Sequence, residues 1–373
     1  MLPEDFEQQW AALSLLAAPN VFMCPAALRA VWGLDFARLK VFCAWLEGHS
    51  TRRLIGFWAL QRASLTPVGP AFLSAPPYSY AFVSSPVLDR EHVDLAMNRI
   101  LDNIELDERL PKVMRLRYLD GDCPSYTALV RALHERGARM FKVSQHERPV
   151  VTRQGALQKS SGATRKKLRQ KWRRLTALGN VEVLDERAPA AVQKAFEIFL
   201  QMEHAGWKGS AGTSLLSDVR DAAFARRLIA ELSQQACASV ALLTLNHNPV
   251  AAQVLLRCGS VAYTWKTAFD AEYRALSPGA LLVDKITEQI FASETIESIE
   301  SCSPEGSFMN HLWHERRSTV EMVVHLGARY SIDYTAVSVG ARSYAQLRDL
   351  RDKLRAMAPS MLKGRGASIA DGG

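Results

Sequence analysis

Ser239-Val-Ala-Leu-Leu-Thr-Leu245, Asn246-His-Asn-Pro249, Val250-Ala-Ala-Gln-Val-Leu-Leu256, Gly259-Ser-Val-Ala-Tyr-Thr-Trp265 and Leu276-Ser-Pro-Gly-Ala-Leu-Leu282 follow one another in the chain. Two apolar runs joined by an Asn/Pro turn predict a hairpin, and the third run adds a strand. Ser-Pro-Gly before a pattern that stays apolar to about Phe291 predicts a helix start, because proline has no amide hydrogen to leave unpaired in the first turn. Ile296-Glu-Ser-Ile-Glu-Ser301 reads as the closing strand. The stretch is one α/β unit of strands, helix and strand.

A similar passage lies earlier in the chain. Arg53-Leu-Ile-Gly-Phe-Trp-Ala-Leu60 reads as a strand, and Ser84-Ser-Pro-Val-Leu88 is expected to open the helical pattern Val93, Met97, Ile100, Leu101. Lys112-Val-Met-Arg-Leu-Arg-Tyr-Leu119 follows as a strand. The same order twice, in 373 residues, predicts a tandem duplication of one unit. Expected boundaries are an N-terminal domain at 1–152, a linking helix at 153–180, a second domain at 181–330 and a C-terminal piece at 331–373. That last piece holds a helix from about Ser343 to Met357 and a disordered tail from Lys363 to Gly373.

With 48% hydrophobic and 23% charged residues the composition is globular, which excludes a disordered or collagen-like chain. The apolar run Leu13–Pro19 is too short to span a bilayer and follows Glu4, Asp5 and Glu7, so the expected address is the cytoplasm. The six cysteines are scattered singly, with no C-x-x-C pair, and predict reduced thiols and no metal site.

Net charge is +8, and it is concentrated. Nine basic residues and no acidic one lie between Arg153 and Arg174, and the remainder of the chain is near neutral. Leu168, Trp172, Leu175 and Leu178 fall on one stripe of a helix, with Ser160, Ser161 or Thr164 as its N-cap and Gly179 at its C-terminal end. Such a helix is either a solvated face or the seat of an anion: a coenzyme phosphate, a nucleic acid backbone or an acidic lipid surface.

The residues with chemistry crowd between Glu203 and Ala280. They comprise Glu203-His-Ala-Gly-Trp-Lys-Gly209, Gly212-Thr213, Tyr263-Thr-Trp-Lys266, Asp270, Tyr273 and Arg274-Ala-Leu-Ser-Pro-Gly-Ala280. A strand, a loop with Arg, Ser, Pro and Gly, and then a helix make a place for phosphate, because first-turn amides lack helical partners. Simple capping by Ser277 is the competing reading of the same loop.

This loop resembles the coenzyme loop Q/R-x-x-G-x-G/A of the GNAT superfamily of acyl-CoA-dependent N-acyltransferases, with Arg274, Ser277 and Gly279 at the three positions and Ser where the first Gly stands. The chain is similar, above all from about 160 to 317, to the CelD-like subfamily associated with cellulose and exopolysaccharide biosynthesis. That subfamily is related to the Fem-type peptidyl transferases, which carry two GNAT units in tandem. The carrying motifs are Arg169 to Gly179, Glu203 to Gly209, Gly212-Thr213, Tyr263 to Lys266, Asp270 to Tyr273, Ser277-Pro-Gly279, and Ser301-Cys302 with Trp313. The resemblance implies an α/β fold of tandem GNAT-like units, each a mixed, mostly antiparallel sheet flanked by helices.

It also implies roles. Glu203 is expected as general base or anchor of the acceptor amine, with its pKa raised beside Trp207. Lys208 and Lys266 would hold an anionic acceptor or coenzyme phosphate, while Asp270 and Tyr273 would serve the leaving thiolate. Arg274, Ser277, Pro278, Gly279 and Ala280 would bind acyl-CoA, and His204, Trp207 and Trp265 the acceptor. Cys302 is the candidate for an acyl-carrying nucleophile, without a clearly placed histidine base. The expected function is acyl transfer from acyl-CoA to an envelope-precursor or polysaccharide acceptor. The alternatives are aminoacyl transfer from a charged tRNA, and a GNAT-fold binding module that has lost catalysis.

Overall fold

The computed structural model describes residues 5–48, 52–67, 69–157, 162–292, 295–303, 306–327 and 331–364, with side chains omitted at 157 and 352–364. Lys159, the candidate caps Ser160 and Ser161, and the tail from 365 onward lie outside them.

The first half runs α1 (Phe6–Leu16), α2 (Pro25–Trp32), β1 (Leu39–Glu47), β2 (Arg52–Ser64), β3 (Ala71–Ala75), β4 (Val87–Leu88), α3 (Val93–Leu106), β5 (Val113–Asp120), α4 (Pro124–Glu135) and β6 (Arg139–Thr152). A short α5 (Arg153–Leu157) and α6 (Gly162–Thr176) lead to the second half. It runs β7 (Val181–Glu186), α7 (Pro189–Ala205), α8 (Trp207–Ser210), α9 (Val219–Gln234), β8 (Ala238–Leu245), β9 (Asn248–Cys258), β10 (Val261–Phe269), α10 (Pro278–Ala292), β11 (Ser298–Glu300), α11 (Met309–Leu312) and β12 (Glu315–His325). The chain closes with α12 (Ile332–Gly364).

The strands form one sheet in the order β1-β2-β3-β5-β12-β6-β11-β10-β9-β8-β7, with β4 alongside β2. Only β3 with β5 and β10 with β11 run parallel; the other pairs are antiparallel. The order β1-β2-β3-β5 is repeated as β8-β9-β10-β11, and α3 and α10 hold equivalent places between the parallel strands. The fold is therefore the mixed, mostly antiparallel tandem arrangement expected from the sequence.

The repeats exchange their last strands. β12, made by the second half, pairs with β5 of the first, while β6 of the first pairs with β11 of the second. The two exchanged strands meet each other antiparallel at the centre, from Glu315 opposite Val150 to His325 opposite Arg139. Arg148 and Arg317 stand directly opposite in that ladder. Like charges in such a pair repel, and acids from the flanking strands answer them. Arg317 Nη1 lies 2.9 Å from Glu300 Oε1 and 3.7 Å from Asp120 Oδ2, and Arg148 Nη1 lies 3.9 Å from Glu300 Oε2. Burial pushes the Glu300 carboxyl up, against the pull of both guanidiniums.

One face of the sheet carries a core shared by both halves, in which Phe22, Trp58, Phe199, Phe224 and Tyr263 belong to a single cluster. A second core lies under α6 and α10 and includes Leu168, Leu175, Leu282, Ile286 and Ile290. α12 packs Val337 and Ala341 on Phe72, Val113 and Val323.

Three elements differ from the sequence expectation. Ser84–Leu88 opens no helix: Ser84 O accepts from the Trp58 indole at 2.9 Å, Val87 and Leu88 join β2, and the helix begins at Val93. Leu178 lies beyond the end of α6 and is exposed, whereas Leu168 and Leu175 are buried. The C-terminal helix begins at Ile332, eleven residues ahead of the expected Ser343. The hairpin at 246–249 is present, with Asn246 at φ 49° and His247 at φ 66°, the left-handed pair that a tight turn needs.

Candidate active site

The site is built where β10 leaves its parallel neighbour. β10 and β11 pair only from Val261 to Tyr263, although β10 continues to Phe269. On its other side the register with β9 shifts between Thr264 and Lys266. A bulge of this kind re-aims the following side chain. Here it leaves Trp265 buried while Lys266 turns toward α7.

α7 supplies the carboxylate. Its apolar face buries Val192, Phe196, Phe199 and Leu200, and the same face carries Glu203, only 3% exposed, at the C-terminal turn. Glu203 Oε1 accepts from Lys208 Nζ at 2.8 Å and from Lys266 Nζ at 3.4 Å, and Oε2 accepts from the Leu215 backbone N–H at 2.9 Å. Burial acts to raise this carboxyl, but the two ammonium groups and the amide outweigh it and hold it below the usual glutamate range. The expected raised pKa is overturned: Trp207 is 59% exposed and does not bury the carboxylate, whereas two lysines neutralise it. The group displaced toward neutrality is Lys266, whose pKa falls because burial disfavours the ammonium ion more than Glu203 restores it.

A pocket opens on Glu203 and Lys208. Met202, Glu203, Trp207, Lys208, Phe269 and Arg274 are among its lining. It adjoins a wider, mainly apolar cleft that includes Ile198, Met202, Ala205, Pro249 and Phe269, with Asp270 at its edge. Glu203, Trp207, Lys208 and Arg274 are thus brought together, with Lys266 behind Glu203. Other expected residues stand apart from the trio. His204 is exposed, with Nδ1 2.9 Å from Ser214 Oγ. Trp265 is a buried wall, its indole N–H donating to the Tyr80 carbonyl at 3.1 Å, and its ring is closed to an acceptor. Asp270 caps the turn Ala271–Leu276 by accepting from Glu272 N at 2.9 Å, and Tyr273 packs on the second core.

The loop before α10 is ordered by Ser277, which takes the left-handed conformation at φ 52°, ψ 55°. That backbone favours glycine, which explains the Gly of the family pattern at this position. Ser277 Oγ accepts from Lys171 Nζ at 2.5 Å, and Ser277 O accepts from the amides of Ala280 and Leu281 at 3.0 and 3.2 Å. Those amides are therefore spent and Pro278 has none, so the phosphate donor expected of this helix start narrows to Gly279. Pro278 and Gly279 are buried, and a Cβ on Gly279 would meet Thr267 Cγ2 at 3.4 Å.

Cys302 is buried at φ 50°, and burial pushes its thiol far up, so no thiolate is offered for acyl transfer. Sequence reasoning missed Tyr80, whose ring lies 5.1 Å from Lys266 Nζ and whose hydroxyl donates to Asp221. Tyr80 comes from the first half, so the packing around Lys266 draws on both. No local motif could reveal it, because the contact is made by the packing of one repeat on the other. Among the described residues no helix is long and apolar enough to cross a membrane.

Residues 162–303 match the family model of the acetyltransferase (GNAT) domain. No curated protein matches the chain in sequence. Among solved structures, FemX is similar with a TM-score of 0.57 at 10% identity, over 85% of this chain and 95% of that one. The C-terminal domain of a putative lysylphosphatidylglycerol synthetase from Agrobacterium fabrum follows with TM-score 0.54 at 13% identity, over 90% and 95%. L-PGS from Bacillus licheniformis has TM-score 0.51 at 13% identity, over 90% and 96%. Residues 162–303 are thus similar to the GNAT acetyltransferase domain, within a larger fold similar to that of FemX.

Proposed function

We propose that the protein transfers an acyl group from acyl-CoA to an amine on a cell-envelope or exopolysaccharide precursor. The observation that carries this reading is the paired Glu203–Lys208–Lys266 trio, of which Glu203 and Lys208 line a pocket that Arg274, three residues before Ser277, also lines. In this scheme Arg274 and the Gly279 amide meet the coenzyme phosphates, and the acyl group points toward the trio. Glu203, held ionised, anchors the acceptor ammonium rather than acting as a strong base. Lys208 and Lys266, charged partners of that carboxylate, fix its position, and the ammonium gives its proton to solvent before the nitrogen attacks. The acceptor nitrogen attacks the thioester carbonyl directly, with no acyl-enzyme.

Isothermal titration with acetyl-CoA and a longer acyl-CoA, at two salt concentrations, tests the reading. One site per chain is expected; absence of binding by either donor rejects it.

A second reading, aminoacyl transfer from a charged tRNA, is favoured by the fold shared with FemX and by the cations of α6. A tRNA mobility shift that fades with salt, in a protein that ignores acyl-CoA, would put this reading first.

A further inference from the structure

Much of the positive excess of the chain lies on one helix, where five cations have no counter-charge among the described residues. α6 carries no acidic residue, and among the described residues Lys166, Lys167, Arg169, Arg173 and Arg174 have no carboxylate within ion-pair distance. All five are exposed. Arg169 with Arg173 and Lys166 with Arg169 are like charges at helical neighbour spacing, which repel. The helix is held against that repulsion by Leu168 and Leu175 in the second core and by Trp172, whose ring lies 5.5 Å from Lys285 Nζ.

Its position relates this charge to the chemistry. Lys171 Nζ bonds Ser277 Oγ, and Arg274 of the same loop lines the pocket with Glu203 and Lys208. The cations therefore flank, on both sides, the residue that touches the loop at which a thioester donor would enter. Fifteen residues of helix extend about 22 Å, well past what the pyrophosphate of a free coenzyme needs at the loop itself.

We propose that α6 docks an acidic carrier protein, which presents the acyl group as a thioester on a phosphopantetheine arm reaching past Ser277 to the Glu203 pocket. This rests on the acyl-transfer reading of that pocket. The acceptor nitrogen forms a bond to the acyl carbon as the carbon–sulfur bond breaks, and the carrier leaves as a free thiol with the proton given up by the amine. An acidic helix fits the patch better than RNA does. The charge is confined to one helix of an otherwise near-neutral chain, and the single aromatic residue of α6, Trp172, is half-buried against the second core and offers no stacking platform.

Fluorescence anisotropy with a labelled type II acyl carrier protein, apo and decanoyl-loaded, tests the docking. Calorimetry with decanoyl-CoA runs in parallel, on wild type, R173E and K166E/R169E/R173E. Circular dichroism and the unfolding midpoint check that each variant is folded. Carrier binding is expected to weaken about tenfold or more in the triple variant and to fade between about 50 and 200 mM salt, with decanoyl-CoA affinity changed by less than about threefold. The proposal is overturned by wild type that ignores the carrier, by equal loss of carrier and decanoyl-CoA binding, or by tRNA binding more tightly than the carrier and displacing it. Carrier binding without any decanoyl-CoA binding would remove the coenzyme reading and leave the docking surface standing.

Discussion

Glu203 is a charge the fold could not bury alone. Lys208 and Lys266 neutralise it and the Leu215 amide satisfies its second oxygen. E203Q keeps an acceptor for that amide but strands two ammonium groups, and it is expected to cost about 3 kcal/mol, read from urea unfolding near neutral pH. Because the folded pKa of Glu203 is lowered, its stabilisation is complete above the ordinary glutamate range and is lost as pH falls through its own lower value. Wild type and E203Q should therefore converge in acid; a gap unchanged between about pH 7 and pH 3 would mean that the carboxylate charge is not what stabilises. In turnover, E203Q should lower kcat more than it raises KM, since an anchor misplaced by one charge disorders attack more than donor binding.

At the scale of elements, the exchange of β6 and β12 places Arg148 against Arg317 and calls Glu300 and Asp120 to their sides. Glu300 Oε1 lies close to Arg317 but off the line of its N–H, so charge rather than a directed hydrogen bond holds the pair. Because burial raises the Glu300 carboxyl despite both guanidiniums, its charge is not a net gain in stability, and E300Q should cost about 1 kcal/mol or less; R317M should cost less in the E300Q background than in wild type. Additive effects in this double-mutant cycle would show that the two side chains act separately. Much of the second repeat was legible in the sequence, where β8, β9, β10 and α10 announce themselves by apolar runs, an Asn-rich turn and a Ser-Pro-Gly start. The first repeat was less so: β1 and β3 emerge only from the structure, and Ser84-Ser-Pro imitates a helix cap while serving as a hydrogen-bonded wall for Trp58. The residue types of the site were legible too, but the lysine pairing of Glu203, the spent amides of α10 and the reach of Tyr80 are long-range facts that no local pattern records. The exchange of strands was illegible for the same reason, since a local apolar pattern does not say which repeat β6 and β12 join.

For the molecule as a whole, neither repeat owns a complete sheet. The shared core joins Phe22 and Trp58 of one half to Phe224 and Tyr263 of the other, and each half borrows a strand. Thermal unfolding should therefore be a single transition, with calorimetric and van't Hoff enthalpies in agreement; two resolved transitions would mean that the halves are energetically separate.

The exchanged strand also sets a timetable for synthesis. A ribosome that has completed β6 has made every strand of the first repeat, yet the partner of β5 is β12, residues 315–325, near the far end of the chain. Until those residues emerge, the outer edge of β5 stays open while more than 150 further residues are added. An open edge is a template for other chains. The nascent protein must either be shielded during that interval or rely on the speed with which its final strand arrives.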